Sequence, residues 1–288
     1  MSLTLTAADH VITAGDLTFS YRILGVPGGT PLVFLSRFRG TMDDWDPALI
    51  DAIAAERRVI LFDNQGIGRS SGRTPGTVTG MASDAVRFIE ALTDQPVDLL
   101  GFSLGGYVAQ RVALQRPELV RRIVLAGTGP GAGAGVLPSE PQVAPLRAAP
   151  VLDLDAFRVL FFSESEAGLQ AGDDMWARIH QRPNREPDVS RDTVEQQIAA
   201  IRNWSGGVEG GDQAYAELEQ ITHPVLVANG NHDVMIPTVN SFILSQRLPN
   251  AELHIYPDAG HGFLFQYAAE FASLVNEFLA RTTDRATS

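Results

Sequence analysis

Six short apolar runs, separated by segments of helical periodicity, constrain this chain more than any other feature. They occupy residues 32–35, 59–62, 97–100, 123–126, 225–228 and 253–256. Several are apolar throughout, as expected of strands covered on both faces of a sheet. Between them, Val78, Met81, Ala82, Ala85, Val86, Ile89 and Leu92 recur at three and four residues and make one helical face. A second helix is expected from Ser103 to about residue 116, stopped by Pro117. A third is expected over residues 268–280, with Phe271, Val275 and Phe278 inward. Asp44-Trp45-Asp46-Pro47 reads as a further helix start, with Trp45 in the core. Upstream, residues 11–13 and 17–21 alternate weakly around Gly15-Asp16, the pattern of an antiparallel hairpin. This order predicts an α/β architecture: a mostly parallel central sheet with helices on both sides.

One interval breaks the rhythm. From Gly131 to about Ile221 no strand pattern occurs; a Gly- and Pro-rich stretch gives way to helix-like patterns near residues 154–162, 169–179 and 194–204. A structureless loop of that length is improbable in a compact domain. The expected organisation is therefore a core of residues 1–130 and 222–288 carrying an inserted helical cap at 131–221. Residues 281–288 read as a loose tail.

The strongest chemical signal is Gly101-Phe102-Ser103-Leu104-Gly105-Gly106. It follows an apolar strand and precedes a helix, the setting that G-x-S-x-G requires. A nucleophile on a sharp strand-to-helix turn has a strained backbone, and Gly101 and Gly105 remove collisions that side chains would cause there. The turn presents Ser103 at the positive end of the following helix, with the Leu104 N–H where an oxyanion would develop. The bland reading, Ser103 as an ordinary helix N-cap, does not account for this context. A serine needs a base, and the base an orienting acid. Asp233 follows the strand at 225–228 and His261 the strand at 253–256, so all three residues fall at the C-terminal edge of the sheet, where open α/β folds bind ligands. His232 and His254 compete with His261, but the flanking Gly260 and Gly262 suit His261 better. Asp258 competes with Asp233 but stands too near His261 in sequence to be the usual orienting acid.

On these residues the chain resembles the α/β-hydrolase superfamily over nearly its whole length. The elbow, the loop Asp63-Asn64-Gln65-Gly66-Ile67-Gly68-Arg69-Ser70, the segment 230–237 and Gly260-His261-Gly262 carry the likeness. The resemblance implies a serine hydrolase with Ser103, Asp233 and His261 as its triad, and assigns shaping roles to Asp63, Gly66 and Gly68. Members commonly carry His-Gly after the third strand, followed by a residue whose N–H completes the oxyanion hole. Here Ser36-Arg37 replaces His-Gly, and Phe38 stands at the donor position, where its backbone N–H still serves. Arg37 and Arg39 allow two readings. One is a salt bridge to Asp43, Asp44 or Asp46, the commoner fate and the one favoured; the other is substrate binding through a carboxylate or enolate.

Composition narrows the partners. The formal charge of −12 disfavours nucleic-acid backbones, and the most basic stretch, residues 116–122, reads as a solvated face. No apolar run approaches a membrane span. The N-terminal ten residues lack a secretory pattern, and there is no cysteine, so a cytoplasmic protein is expected. Gly127-Thr128-Gly129-Pro130-Gly131 follows a strand but lacks the immediate helix a phosphate loop needs, and reads as a hinge into the cap. The six histidines show no metal-ligand spacing, and neither metal nor cofactor is expected. Phe161, Phe162, Trp176 and Trp204 either line an acyl pocket or pack the cap. The expected partner is a small molecule; oligomeric state is not legible. The expected reaction is hydrolysis of a small, mainly apolar ester or lactone. The enzymatic alternatives are carbon–carbon hydrolysis of a diketone and cofactor-free perhydrolysis; the non-enzymatic one is a small-molecule receptor with vestigial hydrolysis.

Overall fold

A hairpin opens the structure. The computed structural model describes residues 2–206, 211–212 and 214–282, and after a short helix α1 (Leu3–Thr6) the strands β1 (His10–Ala14) and β2 (Leu17–Gly25) pair antiparallel around Gly15-Asp16. Then come β3 (Leu32–Leu35), α2 (Pro47–Ala54), β4 (Arg58–Phe62), α3 (Val78–Leu92), β5 (Val97–Phe102), α4 (Leu104–Gln115) and β6 (Val120–Ala126). Four helices follow: α5 (Val143–Ala148), α6 (Leu154–Phe161), α7 (Glu166–Ile179) and α8 (Arg191–Trp204). The chain closes with β7 (Val225–Gly230), α9 (Thr238–Arg247), β8 (Ala251–Tyr256), α10 (Phe263–Gln266) and α11 (Ala268–Ala280). All eight strands form one sheet in the order β1-β2-β4-β3-β5-β6-β7-β8. β2 runs antiparallel to β1 and β4, and the other pairs are parallel. This is the expected α/β fold.

The central strands explain their own burial. Every side chain of β3 and β5 is buried, because helices cover both faces of the sheet. One face holds a core that includes Phe19, Phe62, Phe88 and Val108; the other includes Phe34, Trp45, Phe102 and Phe271. Trp45 sits as expected, edge-on to Phe34 at 4.9 Å between ring centres, and its indole N–H donates to Ser36 Oγ. Asp46 caps α2 by accepting from the Ala48 N–H, and Pro47 occupies the first helical position, where its missing N–H costs nothing.

The four helices between β6 and β7 do not form a separate body. Val194, Ala200 and Trp204 of α8 join the first core, and Phe157, Phe161, Met175 and Ile179 of α6 and α7 join the second. Arg178 of α7 pairs with buried Asp46 at 2.7–2.8 Å. After β6 the segment 127–131 runs on with no helix until Val143.

One expectation about charge is corrected. Residues 116–122 are not simply a solvated face: the partly exposed Arg116 pairs with Glu90 and Glu118. Arg121 grips the fully buried Asp98 of β5. Arg122 is buried, donates to the Arg281 carbonyl at 2.6 Å and lies over the Phe278 ring. These arginines neutralise the lower end of β5 and β6, where α11 crosses. Of the expected loose tail, Arg281 is thus held in place, and residues 283–288 lie outside the described residues. No helix among the described residues is long and apolar enough to cross a membrane.

Candidate active site

Ser103 ends β5 and precedes α4 in a conformation that L-residues rarely adopt, φ 57° and ψ −118°. Its side chain makes no capping hydrogen bond, which removes the reading of Ser103 as an ordinary N-cap. The backbone is fixed from outside: the Ser103 N–H donates to the Ala126 carbonyl, and Thr128 Oγ1 donates to the Ser103 carbonyl, both at 2.9 Å. The glycines act as close-approach points. A Cβ on Gly101 would lie 2.4 Å from the Gly105 carbonyl oxygen, and one on Gly105 only 1.9 Å from that of Leu35. The second contact was not foreseen: Gly105 lets α4 press against the end of β3, beside the loop carrying Phe38.

The other two residues arrive from neighbouring strand ends. Asp233 follows β7 and is 4% exposed. Its Oδ1 accepts from the Met235 and Ile236 N–H groups at 2.8 and 2.9 Å, and its Oδ2 lies 2.7 Å from His261 Nδ1. His261 follows β8 and is fully buried, its ring 4.9 Å from that of Phe102 and 5.5 Å from that of Phe161. A backbone bond from Gly262 N–H to the Phe161 carbonyl, at 2.6 Å, braces the loop against α6. With Nδ1 held by the carboxylate, Nε2 is left buried and without a hydrogen-bond partner among the described residues. His261 and Ser103 line the same cleft. The competitors fall elsewhere. His232 and His254 are exposed, and Asp258 accepts a 2.7 Å bond from Ser165, the N-cap of α7.

The cleft has about 350 Å³ of empty space. Arg37, Phe38, Arg39, Arg147 of α5, Phe161 of α6 and Met235 line it. Neither the Phe38 nor the Leu104 N–H donates to another group among the described residues. The positive-φ residue of this loop stands two positions after Arg37, which replaces the glycine. Arg39 adopts φ 59°, and its N–H donates to Gln197 Oε1 of α8 at 2.9 Å.

The favoured ion pairs for the two arginines are half present. Arg37 lies 3.6 Å from Asp44 Oδ1, donates to the Phe38 carbonyl at 2.9 Å, and stacks its guanidinium over Phe161 at 5.1 Å. Burial pulls its pKa below the ordinary arginine value, while Asp44 pulls the other way. Arg39 pairs with no carboxylate among the described residues, its nearest acceptor being the Pro150 carbonyl at 3.5 Å. Trp204 and Phe162 pack in the cores, and of the aromatics named from sequence Phe161 lines this cleft. Sequence reading missed Arg147, Leu146, Leu152, Leu160 and Met235. The only visible signal was that Arg147 is the sole cation between residues 123 and 157.

A mostly parallel eight-stranded sheet, a strained serine between strand and helix, and a His–Asp pair at the ends of the last two strands define a hydrolase. The chain belongs to the α/β-hydrolase fold family, whose model matches residues 30–267. It is 31% identical over 272 residues to a poly(3-hydroxyalkanoate) depolymerase from Ectopseudomonas oleovorans, covering 91% of this chain and 88% of that protein. It is 30% identical over 247 residues to a 2-hydroxymuconate semialdehyde hydrolase from Pseudomonas sp. strain CF600, covering 82% and 81%. Among solved structures, an alpha/beta hydrolase fold protein from Chitinophaga pinensis superposes with a TM-score of 0.87 at 35% identity, covering 97% of this chain and 99% of that one.

Proposed function

We propose that this enzyme is a serine hydrolase of small, mainly apolar carboxylic esters or lactones, acting through an acyl-enzyme. The observation that carries the reading is the buried, unpartnered Nε2 of His261, in the same cleft as a serine held at φ 57° with a free side chain. An orphaned buried nitrogen is costly unless a reacting group uses it. Ser103 Oγ attacks the ester carbonyl carbon while His261 Nε2 takes its proton, and Asp233 fixes the tautomer and stabilises the imidazolium. The Leu104 and Phe38 N–H groups hold the oxyanion. The intermediate collapses, the leaving alkoxide takes the proton from His261, and the acyl group stays on Ser103. Water then gives a proton to His261 and attacks the acyl carbonyl, and the second collapse returns that proton to Ser103. No step uses a cofactor. Residues 131–221 act as the cap that shapes the cleft over the core of 1–130 and 222–288. The relative named for depolymerising a poly(3-hydroxyalkanoate), a polyester, supports ester cleavage.

One second reading has support of its own. The relative named as a 2-hydroxymuconate semialdehyde hydrolase, together with the cationic wall of Arg37 and Arg39, favours carbon–carbon hydrolysis of an acidic diketone at the same serine. The test is turnover of p-nitrophenyl acetate and butyrate beside a diketone series, for wild type and Ser103→Ala. Ester turnover that falls by about 10³-fold or more in the variant supports the first reading. Diketone cleavage without ester turnover supports the second, and inertness to both moves the chain toward a small-molecule receptor.

A further inference from the structure

The cleft holds more positive charge than its own carboxylates neutralise. Arg37, Arg39 and Arg147 all line it, and the structure pairs them with one carboxylate, Asp44. That carboxylate is itself divided: Oδ1 faces Arg37 at 3.6 Å and Arg185 at 3.4 Å, and Oδ2 accepts from Thr41. Arg147 makes no hydrogen bond or ion pair among the described residues, yet it is partly buried, and that burial pulls its pKa below the ordinary value. The Nε atoms of Arg37 and Arg39 are buried without hydrogen-bond partners among the described residues, and Arg37 is only 7% exposed. All this occurs in a chain whose net charge is −12. Unpaired guanidinium groups in an apolar cleft are unfavourable in the empty enzyme unless the ligand brings the missing charge.

Resting on the hydrolase reading above, we infer that Arg147 and Arg39, backed by Arg37, form a carboxylate-recognition site, and that the preferred substrate is an ester carrying a free carboxylate. The placement supports this. Arg37 and Arg39 also line a second, larger cavity of about 940 Å³ bounded by Trp176 and Arg185, so they stand at the border of the two spaces. Arg147, on α5, lines the inner cleft together with them. A planar guanidinium binds a carboxylate through two parallel hydrogen bonds, which fixes the far end of a flexible acyl chain and places its ester carbonyl near Ser103.

The test compares esters matched except for charge: the mono-p-nitrophenyl ester of adipic acid against its methyl-capped form, and 6-butyryloxyhexanoic acid against its methyl ester. The two pairs put the carboxylate on the acyl side and the alcohol side in turn. Wild type is expected to favour the charged member of at least one pair in kcat/KM, by about tenfold to hundredfold at low salt, with the ratio shrinking as salt screens the charge. Arg147→Gln and Arg39→Gln should each cut that ratio about tenfold. Arg202→Gln, an exposed residue away from the cleft, changes net charge equally and should leave the ratio alone. Should the cleft variants fail to fold, adipate must inhibit neutral-ester turnover competitively, and at least tenfold better than adipamide. Neutral esters hydrolysed with no preference for charge in either pair, or a preference lost equally in Arg202→Gln, overturns the inference while leaving the hydrolase reading intact. Failure to hydrolyse neutral and charged esters alike removes that reading as well.

Discussion

The sheet and the excursion between β6 and β7 divide the labour of the molecule differently. The sheet places the candidate triad: Ser103, Asp233 and His261 come from the ends of β5, β7 and β8, each braced by backbone bonds to neighbouring strands or loops. The excursion supplies lining: Leu146, Arg147, Leu152, Leu160 and Phe161 border the same cleft as the serine. Yet the two share cores. Trp204 of α8 is fully buried and stacks on Tyr107 of α4, one turn after the elbow, at 4.9 Å. The lesson is that a segment inserted between two strands can line a cleft without being mechanically separate from the sheet beneath it.

Three substitutions probe that division, the largest effect first. Asp233→Asn keeps the volume but removes the charge facing His261 Nδ1, so kcat is expected to fall by about 10³–10⁴-fold with the fold retained. Ester kinetics beside a thermal melt decide it, and a loss under tenfold would take Asp233 out of the machinery. Trp204→Ala empties a large fully buried site and should cost about 3–5 kcal/mol in urea unfolding. A single shifted transition supports the shared core, whereas a second transition with the first unmoved would make the excursion an independent flap. Asp84→Asn acts on the core alone. Burial without a partner for Oδ2 raises the Asp84 pKa from 3.8 to about 6. Between those values the folded state holds a proton that the unfolded state has released, so the wild type loses stability as pH rises through that window. The Asn variant does not. It should therefore be more stable by on the order of 1–2 kcal/mol at pH 7.5 and gain nothing near pH 4, as chemical denaturation at the two pH values would show.

The core was legible in the sequence because its signals are periodic. β3, α3 and α11 have the bounds their apolar patterns predict, and the elbow glycines marked Ser103. The excursion was less legible for identifiable reasons. α7 and α8 begin three residues before their apolar stripes, at Glu166 and Arg191, because Ser165 and Ser190 cap them by accepting from Gly168 and Thr193. α5 went unseen: its six residues contain Pro145 and bury only Val143. Arg147 lies on it, and no local pattern shows that an arginine on a short helix will face a serine more than forty residues earlier. The arginine stretch at 116–122 misled in the opposite sense, since Asp98, the partner of Arg121, is on another strand.

The most direct test of the central claim is intact-mass and peptide-map analysis of the enzyme treated with a fluorophosphonate. The expected result is one adduct per chain, located on Ser103 and absent from Ser103→Ala. An unlabelled wild type, or an adduct that persists in the variant on another residue, would contradict the claim that Ser103 is the nucleophile of this cleft.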